Sequence, residues 1–232
     1  MRKLYISAAA DSRLLKYFAD RGYENELIGT SGIVSDPVSD HPDMFMCRLG
    51  VSDDAPVISY FDLLRRYEQT GSDLSGSGYR PLLSPGYPSE VAFNAACTGK
   101  YFIHNLKYTD PLLLSEAERL GMRAVNVRQG YAKCSTVIVD EDSVITYDNG
   151  IASECIDAGM NVLRVSPGHV VLEGYDSGFI GGASGRIDDM IVFNGDLSSH
   201  PDFRSIVNFI EDREIGVRWF EDWPLTDIGT IL

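Results

Sequence analysis

The stretch Leu225-Thr226-Asp227-Ile228-Gly229-Thr230 is the last of five short segments made of small and apolar residues, each with one conspicuous residue. The conspicuous residues recur at intervals of 39 to 51 residues, close to one fifth of the 232-residue chain. A repeat at a nearly fixed period indicates an architecture built from equivalent units. We call these the five axial segments: residues 41–46, 92–97, 131–136, 179–184 and 225–230, with Asp43, Asn94, Lys133, Gly181 and Asp227 as the conspicuous residues.

Between the axial segments, the chain repeats a strand, a helix and a glycine. Apolar runs predict the strands, and apolar residues three and four apart predict one buried face on the helices. Asp110 precedes Pro111, which is typical of a helix N-terminus, and glycine suits the left-handed conformation that ends many helices. The predicted strands are 3–7, 56–60, 100–105, 143–147 and 189–193, and the predicted helix-ending glycines are Gly22, Gly71, Gly121, Gly159 and Gly216.

Both ends of the chain carry incomplete units. No axial segment precedes the strand at 3–7, and no helix follows the axial segment at 225–230. Pairing of the two ends would complete a fifth unit and remove a free sheet edge, as in propellers. We therefore predict one α/β domain over residues 1–232, a five-bladed pseudo-fivefold α/β propeller of ββαβ repeats closed by its N- and C-terminal segments. The alternative is an open sheet with alternating strands and helices, which does not require half-units at both ends.

Residues 71–90 interrupt the repeat with a stretch rich in Gly, Ser and Pro. The stretch is long for a connection within a compact domain. It is either a lid over the mouth of the ring or a surface insertion, and both alternatives stay open.

Charge and composition restrict the class of partner. The net charge is −14, with acidic residues spread along the chain, so nucleic acid and membrane partners are not expected and a small cationic ligand is favoured. Apolar residues make up 44% of the chain, but no apolar run approaches the roughly 20 residues of a membrane span. We expect a cytoplasmic protein.

The cysteines and histidines show no strong metal pattern. The four cysteines, Cys47, Cys97, Cys134 and Cys155, form no C-x-x-C pair, so we expect reduced, mostly buried thiols. A metal at His41, Asp43 and Asp227 is only weakly indicated, because i, i+2 spacing is poor evidence by itself. We expect no metal and no cofactor.

The repeated units and the stretch from Asp222 to Leu232 resemble the guanidine-modifying, or pentein, superfamily, and the whole chain resembles a bacterial group of that fold with no assigned activity. The superfamily includes dimethylarginine hydrolases and arginine deiminases. In its catalytic members, a cysteine near the C-terminus attacks the guanidinium carbon, a histidine of the third unit moves protons, and acids hold the guanidinium. The match places Asp227 at the position of the cysteine and leaves no histidine near Tyr131, while Asp43 matches an acidic position. The resemblance therefore implies guanidinium binding without the usual nucleophile.

In such a ring, polar side chains of the axial segments would point toward the axis. These are Asp43, Asn94, Lys133 and Asp227. Two acids around one lysine form either a buried network that satisfies itself or a site for a zwitterion. The pair Gly181-Gly182 favours a cavity, because it leaves side-chain space unfilled.

The candidates for catalysis are Asp227, His169 and Cys134. An aspartate attacks a guanidinium poorly. His169 is either an acid–base group or a surface histidine. The adjacent Lys133 would lower the pKa of the Cys134 thiol, although neighbouring residues of a strand point to opposite faces. Glu173 and Tyr131, in turns near the mouth of the ring, are further candidates for ligand binding.

Two functions follow from these patterns. The first is binding of a small cationic, guanidino or amino-acid-like ligand at the axis; any turnover would be hydrolase or transferase chemistry at a guanidino or amidine C–N bond. The second is a non-catalytic interaction protein that uses the propeller as a scaffold. An open acidic pocket lined by Lys133, His169 and Glu173 would favour the first, and a plugged axis with an apolar outer patch would favour the second.

Overall fold

The computed structural model describes residues 2–52, 54–70 and 82–232. Within these ranges, the chain forms five helices and five small sheets of two or three strands. The helices are α1 (Ser12–Ala19), α2 (Tyr60–Thr70), α3 (Pro111–Arg119), α4 (Asn149–Asp157) and α5 (Phe203–Glu211). The strands are β1 (Arg2–Ser7), β2 (Tyr23–Ile28), β3 (Met46–Arg48), β4 (Val57–Ser59), β5 (Ala96–Cys97), β6 (Tyr101–His104), β7 (Arg123–Asn126), β8 (Thr136–Ile138), β9 (Ser143–Thr146), β10 (Asn161–Arg164), β11 (Ser184–Ile187), β12 (Met190–Phe193) and β13 (Gly216–Arg218).

The units share one strand order. β5 pairs antiparallel with β6, α3 follows, and β7 returns parallel to β6. The sheets β8 to β10 and β11 to β13 repeat this order. Earlier in the chain, β3 and β4 pair antiparallel ahead of α2, and β1 and β2 pair parallel around α1. The predicted alternation of strand, helix and strand is observed, and the chain is a mixed α/β protein.

Local signals set most helix ends. Asp110 accepts hydrogen bonds from the N–H groups of the residues at 112 and 113, and Gly121 follows α3 with a φ of 77°. The prediction is wrong at α5, where Glu214 adopts the left-handed conformation with a φ of 59°. Gly216 instead begins β13, because the chain turns before it reaches the glycine.

Apolar faces hold the helices on their sheets. In the fifth unit, Ile206 and Ile210 of α5 are fully buried and belong to one core cluster with Ile191 and Phe193 of β12. Burial of each such side chain contributes about 1.5–3 kcal/mol. The residues three and four apart along α5 therefore fix the helix against the sheet that precedes it.

The five axial segments are hydrogen-bonded to one another in chain order, and the last is bonded to the first. The bonds are Asn94 Nδ2 to Asp43 O (3.2 Å), Lys133 N to Asn94 O (3.0 Å), Gly182 N to Cys134 O (2.8 Å), Thr230 N to Gly182 O (2.8 Å) and Asp43 N to Gly229 O (3.1 Å). Four of the segments end where a first strand begins, at β3, β5, β8 and β11. Residues far apart in sequence are thereby brought to one place.

The end of the predicted insertion is fixed to the rest of the chain. Residues 71–81 of that stretch lie outside the described residues, and the lid stays a prediction. Glu90 is buried and accepts hydrogen bonds from the N–H groups of Ser35 (2.9 Å) and Gly86 (3.1 Å) and from the Tyr131 hydroxyl (2.5 Å). None of the helices in the described ranges combines the length and the apolar composition of a membrane span.

Candidate functional site

A cavity of about 140 Å³ lies beside the axial segments. Its lining residues are Val38, His41, Tyr131, Cys134, Leu172, Tyr175, Ser177, Phe179 and Asp227. Three predicted site residues, Tyr131, Cys134 and Asp227, therefore meet there. A dry cavity of about 150 Å³ in engineered T4 lysozyme holds benzene, so this cavity accommodates a planar group of similar size.

Asp227 presents a fixed carboxylate to this cavity. Its Oδ2 accepts the N–H of Phe179 (2.9 Å), and its Oδ1 accepts the N–H of Gly229 (3.0 Å). Each carboxylate oxygen has two lone pairs, so both oxygens keep capacity for a ligand. Backbone donors hold the group in place without neutralising its charge.

His41, the first residue of the first axial segment, lies beside this carboxylate. Its Nδ1 is 3.8 Å from Asp227 Oδ1, and the residue is only 3% exposed. A Cβ on Gly229 would overlap the His41 side chain, and Gly229 has a φ of 68°. Glycine at 229 therefore permits the chain to pass directly over the imidazole.

Cys134 is held by two polar neighbours. Its Sγ is 3.0 Å from Asp43 Oδ2 and 3.1 Å from Asn94 Nδ2. Burial, together with the negative charges of Asp43 and Asp227, raises the pKa of the Cys134 thiol well above its usual range. The expectation that Lys133 lowers the pKa of this thiol is wrong, because desolvation and two carboxylates have a larger effect than one ammonium.

Asp43 and Asn94 lie behind the cavity, and neither lines it. Asp43 is fully buried, and burial raises the pKa of its carboxyl although His41 and Lys133 act in the opposite direction. Asn94 Oδ1 accepts the N–H groups of Lys133 (2.9 Å) and Cys134 (3.2 Å). Asn94 therefore orients the third axial segment.

Lys133 lines a different cavity from its neighbour Cys134. Its Nζ donates to Thr230 Oγ1 (2.6 Å), and it faces a space of about 40 Å³ that is also lined by Cys47 and Cys97. Desolvation lowers the pKa of the Lys133 ammonium, while Asp43 opposes the change. Residues 132–135 form a turn, and it directs the side chains of 133 and 134 into two different spaces.

The glycines at 181 and 182 do not leave a cavity. A Cβ on Gly181 would overlap the carbonyl oxygens of Lys133 and Thr136, and a Cβ on Gly182 would overlap the Asp227 carboxylate. The expectation of unfilled space is therefore wrong. Both glycines allow neighbouring backbone and Asp227 to approach closely.

His169 and Glu173 lie outside the cavity. His169 is exposed, and its ring centroid is 5.2 Å from that of His200. Glu173 is exposed on an open groove that also touches His41 and Asp227. The three residues Lys133, His169 and Glu173 do not line one common pocket: Lys133 faces the 40 Å³ space, Glu173 lies on the open groove, and His169 contacts His200.

Seven large apolar side chains of the described residues are exposed. They lie on β2, on or next to α3 and α4, and in the loops at 82–87 and 171–175: Leu27, Leu82, Tyr87, Leu120, Ile156, Val171 and Tyr175. Single exposed apolar residues of this kind are common on soluble domains.

Sequence reasoning did not select Phe179 as a site residue, and it named His41 only in a weakly indicated metal site. Phe179 stacks on Tyr131 with ring centroids 6.0 Å apart and on Tyr147 at 5.9 Å. Their position in the sequence could have identified them, since both His41 and Phe179 are the first residues of axial segments. The first residue of each axial segment is therefore also a candidate site residue.

Comparison with a solved structure supports the fold, and none of the comparisons shows an activity for this chain. Residues 5–232 match the family described as "Family of unknown function (DUF6873)", and no curated protein matches significantly. A solved structure, the crystal structure of a dimethylarginine dimethylaminohydrolase adduct with 4-chloro-2-hydroxymethylpyridine, is similar with a TM-score of 0.50 and 8% identity, over 95% of this chain and 92% of that chain. At this identity the likeness concerns the fold alone, and it supports the guanidine-modifying fold predicted from the sequence. Because the family match spans nearly the whole length, the chain belongs to the family of unknown function DUF6873.

Proposed function

We propose that the five units form a closed five-bladed propeller and that the 140 Å³ cavity binds the planar cationic group of a small guanidino or amidine compound. The hydrogen bonds that return from the fifth axial segment to the first support closure. The similar structure of a dimethylarginine dimethylaminohydrolase, whose name denotes action on a guanidino compound, supports the ligand class.

The observation that carries this proposal is the Asp227 carboxylate at an aromatic cavity. A guanidinium forms paired hydrogen bonds with a carboxylate and stacks on aromatic faces. Phe179 and Tyr131 supply aromatic rings in the wall. Burial strengthens the attraction, because the surrounding dielectric constant is lower than that of water.

We propose that the site binds its ligand and forms no covalent bond with it. Attack on a guanidinium carbon requires a thiolate. Cys134 is the candidate nucleophile in the cavity, but burial and the nearby carboxylates raise the pKa of its thiol.

A thermal-shift titration tests the proposal. Arginine, agmatine, methylated arginines and creatine are compared with citrulline, in which an uncharged urea group replaces the guanidinium. A ligand at 100 times its dissociation constant adds about 2.7 kcal/mol of stability. We expect a shift with at least one guanidino compound and none with citrulline.

Two aspartate variants locate the site. Asp227→Asn should abolish the shift, because it removes the charge from the cavity. Asp157→Asn, at the exposed end of α4, should preserve it. No shift with any guanidino compound, or an equal shift in Asp227→Asn, would contradict the proposal.

A further inference from the structure

Three different metal-ligating side chains converge beside the cavity. A ring nitrogen of His41, a carboxylate oxygen of Asp43 and the Sγ of Cys134 lie within 4.8 Å of one another. They come from the first and third axial segments, and all three residues are buried. Nitrogen, oxygen and sulfur donors of these types are the ligands that zinc accepts in proteins.

Two atoms of this cluster lack a hydrogen-bond partner. Among the described residues, Nδ1 of His41 and Oδ1 of Asp43 are buried without one. His41 is 3% exposed and Asp43 is fully buried. Leaving buried polar atoms unsatisfied costs about 1–3 kcal/mol each, so two in one cluster indicate a missing partner.

The separations suit a single ion. Tetrahedral zinc with bond lengths of about 2.0–2.3 Å places its ligand atoms roughly 3.3–3.8 Å apart. Small side-chain adjustments reach this from the observed cluster, in which Cys134 Sγ is 3.0 Å from Asp43 Oδ2. His41 and Cys134 line the cavity, which leaves a fourth position open toward it.

The surrounding charges also balance an ion. The Cys134 thiolate and the Asp43 carboxylate carry two negative charges, and the His41 imidazole is neutral. A divalent cation therefore balances the charges of its own ligands. Buried charges are stable only when they are compensated in this way.

We propose that His41, Asp43 and Cys134 bind one zinc ion, with the fourth coordination position open to the cavity. This departs from the sequence-based expectation of no metal. Binding releases the thiol proton of Cys134 to solvent, because only the thiolate is a ligand. The open position would take water or a ligand group, as in zinc sites with three protein ligands.

Cobalt and zinc titrations of chelator-stripped protein test this site without any guanidino compound, so the result is independent of the proposed ligand. We expect one Co²⁺ per chain, with a near-ultraviolet thiolate-to-cobalt absorption and intense visible bands of tetrahedral geometry. Zn²⁺ should displace the cobalt and remove both signals, because zinc has a filled d shell. Absence of a thiolate absorption in the unmodified protein overturns the proposal.

Variants identify the ligands. Cys134→Ala should abolish the thiolate absorption, and Asp43→Asn and His41→Gln should each weaken zinc binding at least 10–100-fold, the effect of losing an outer-shell partner. Cys97→Ala is the matched control, because Cys97 and Cys47 form a thiol pair outside this site, with Sγ atoms 3.3 Å apart. Circular dichroism and melting curves establish that each variant is folded.

The outcomes are separable. Loss of the absorption in Cys134→Ala, with its retention in Cys97→Ala, supports the site. Loss of the absorption in Cys97→Ala, with its retention in Cys134→Ala, assigns the metal to the Cys47–Cys97 pair and overturns the proposal. If Cys134→Ala does not fold, the spectrum of the unmodified protein together with Cys97→Ala decides the question.

Discussion

Tyr5 and Leu232 exchange two backbone hydrogen bonds, with the N–H of Tyr5 2.8 Å from the Leu232 oxygen and the N–H of Leu232 3.1 Å from the Tyr5 oxygen. These bonds give β1 a backbone partner in addition to β2. Leu232 is 5% exposed and packs in a cluster with Met44, Cys47 and Phe93. The first and last parts of the sequence are therefore joined through both backbone and core.

Because Leu232 is buried at this junction, we expect Leu232→Ala to lower the free energy of unfolding substantially. Truncation of a buried leucine leaves a cavity and costs about 2–5 kcal/mol. Urea unfolding measures the loss of free energy of unfolding. Leu27→Ala, at an exposed leucine of the adjacent strand β2, should change it by less than about 0.5 kcal/mol. Equal effects of the two variants would mean that residue 232 does not pack in solution as described.

Gly182→Ala should destabilise the protein and disturb the cavity. The new Cβ would overlap the Asp227 carboxylate, and overpacking of this kind costs about 1–3 kcal/mol. Gly29→Ala is the control, because its Cβ would meet no atom within 4 Å, and it should be neutral or slightly stabilising. Urea unfolding of the pair measures the difference, and a stable Gly182→Ala would contradict the close approach.

Because the imidazole of His104 is buried, we expect the protein to lose stability in mild acid. Burial lowers the pKa of this imidazole to about 4, and its Nε2 donates to the carbonyl of Gly130 (2.8 Å) while its Nδ1 lies 2.7 Å from Thr109 Oγ1. Between pH 6.5 and 4, the unfolded chain binds the proton and the folded chain does not. The free energy of unfolding therefore falls by about 3 kcal/mol as the pH is lowered through this window.

Urea unfolding from pH 7 to pH 4.5 measures this slope in the unmodified protein and in His104→Gln. The glutamine keeps one donor and one acceptor but does not titrate. We expect His104→Gln to have a lower free energy of unfolding at pH 7 than the unmodified protein, and that free energy to depend less on pH. Identical slopes in the two proteins would assign the acid sensitivity to other groups.

Tyr131→Phe should weaken the fold while leaving the aromatic wall in place. The variant removes the hydroxyl that donates to the buried Glu90, whose other oxygen accepts from backbone N–H groups. An unsatisfied buried acceptor costs about 1–3 kcal/mol. Tyr175→Phe, at a residue that is 49% exposed, should cost less than about 0.5 kcal/mol. Similar melting temperatures for both variants would contradict this role of Tyr131.

The sequence by itself determined the repeated units. Strands, helix starts such as Asp110-Pro111 and most helix-ending glycines depend on residues a few positions apart, and they form where predicted. The nearly fixed spacing of the repeat also identified the five axial segments. The prediction that Gly216 ends α5 was wrong for a reason that is also local, because Glu214 adopts the left-handed conformation two residues earlier.

Only the tertiary structure decided which side chains meet. His41, Cys134 and Asp227 belong to the first, third and fifth axial segments, and hydrogen bonds between distant backbones bring them to one cavity. Lys133, adjacent to Cys134, faces another space, because the path of the backbone directs consecutive side chains apart. Local patterns fix elements, whereas the direction of each side chain depends on contacts across the whole chain, and so the site emerged only from the folded molecule.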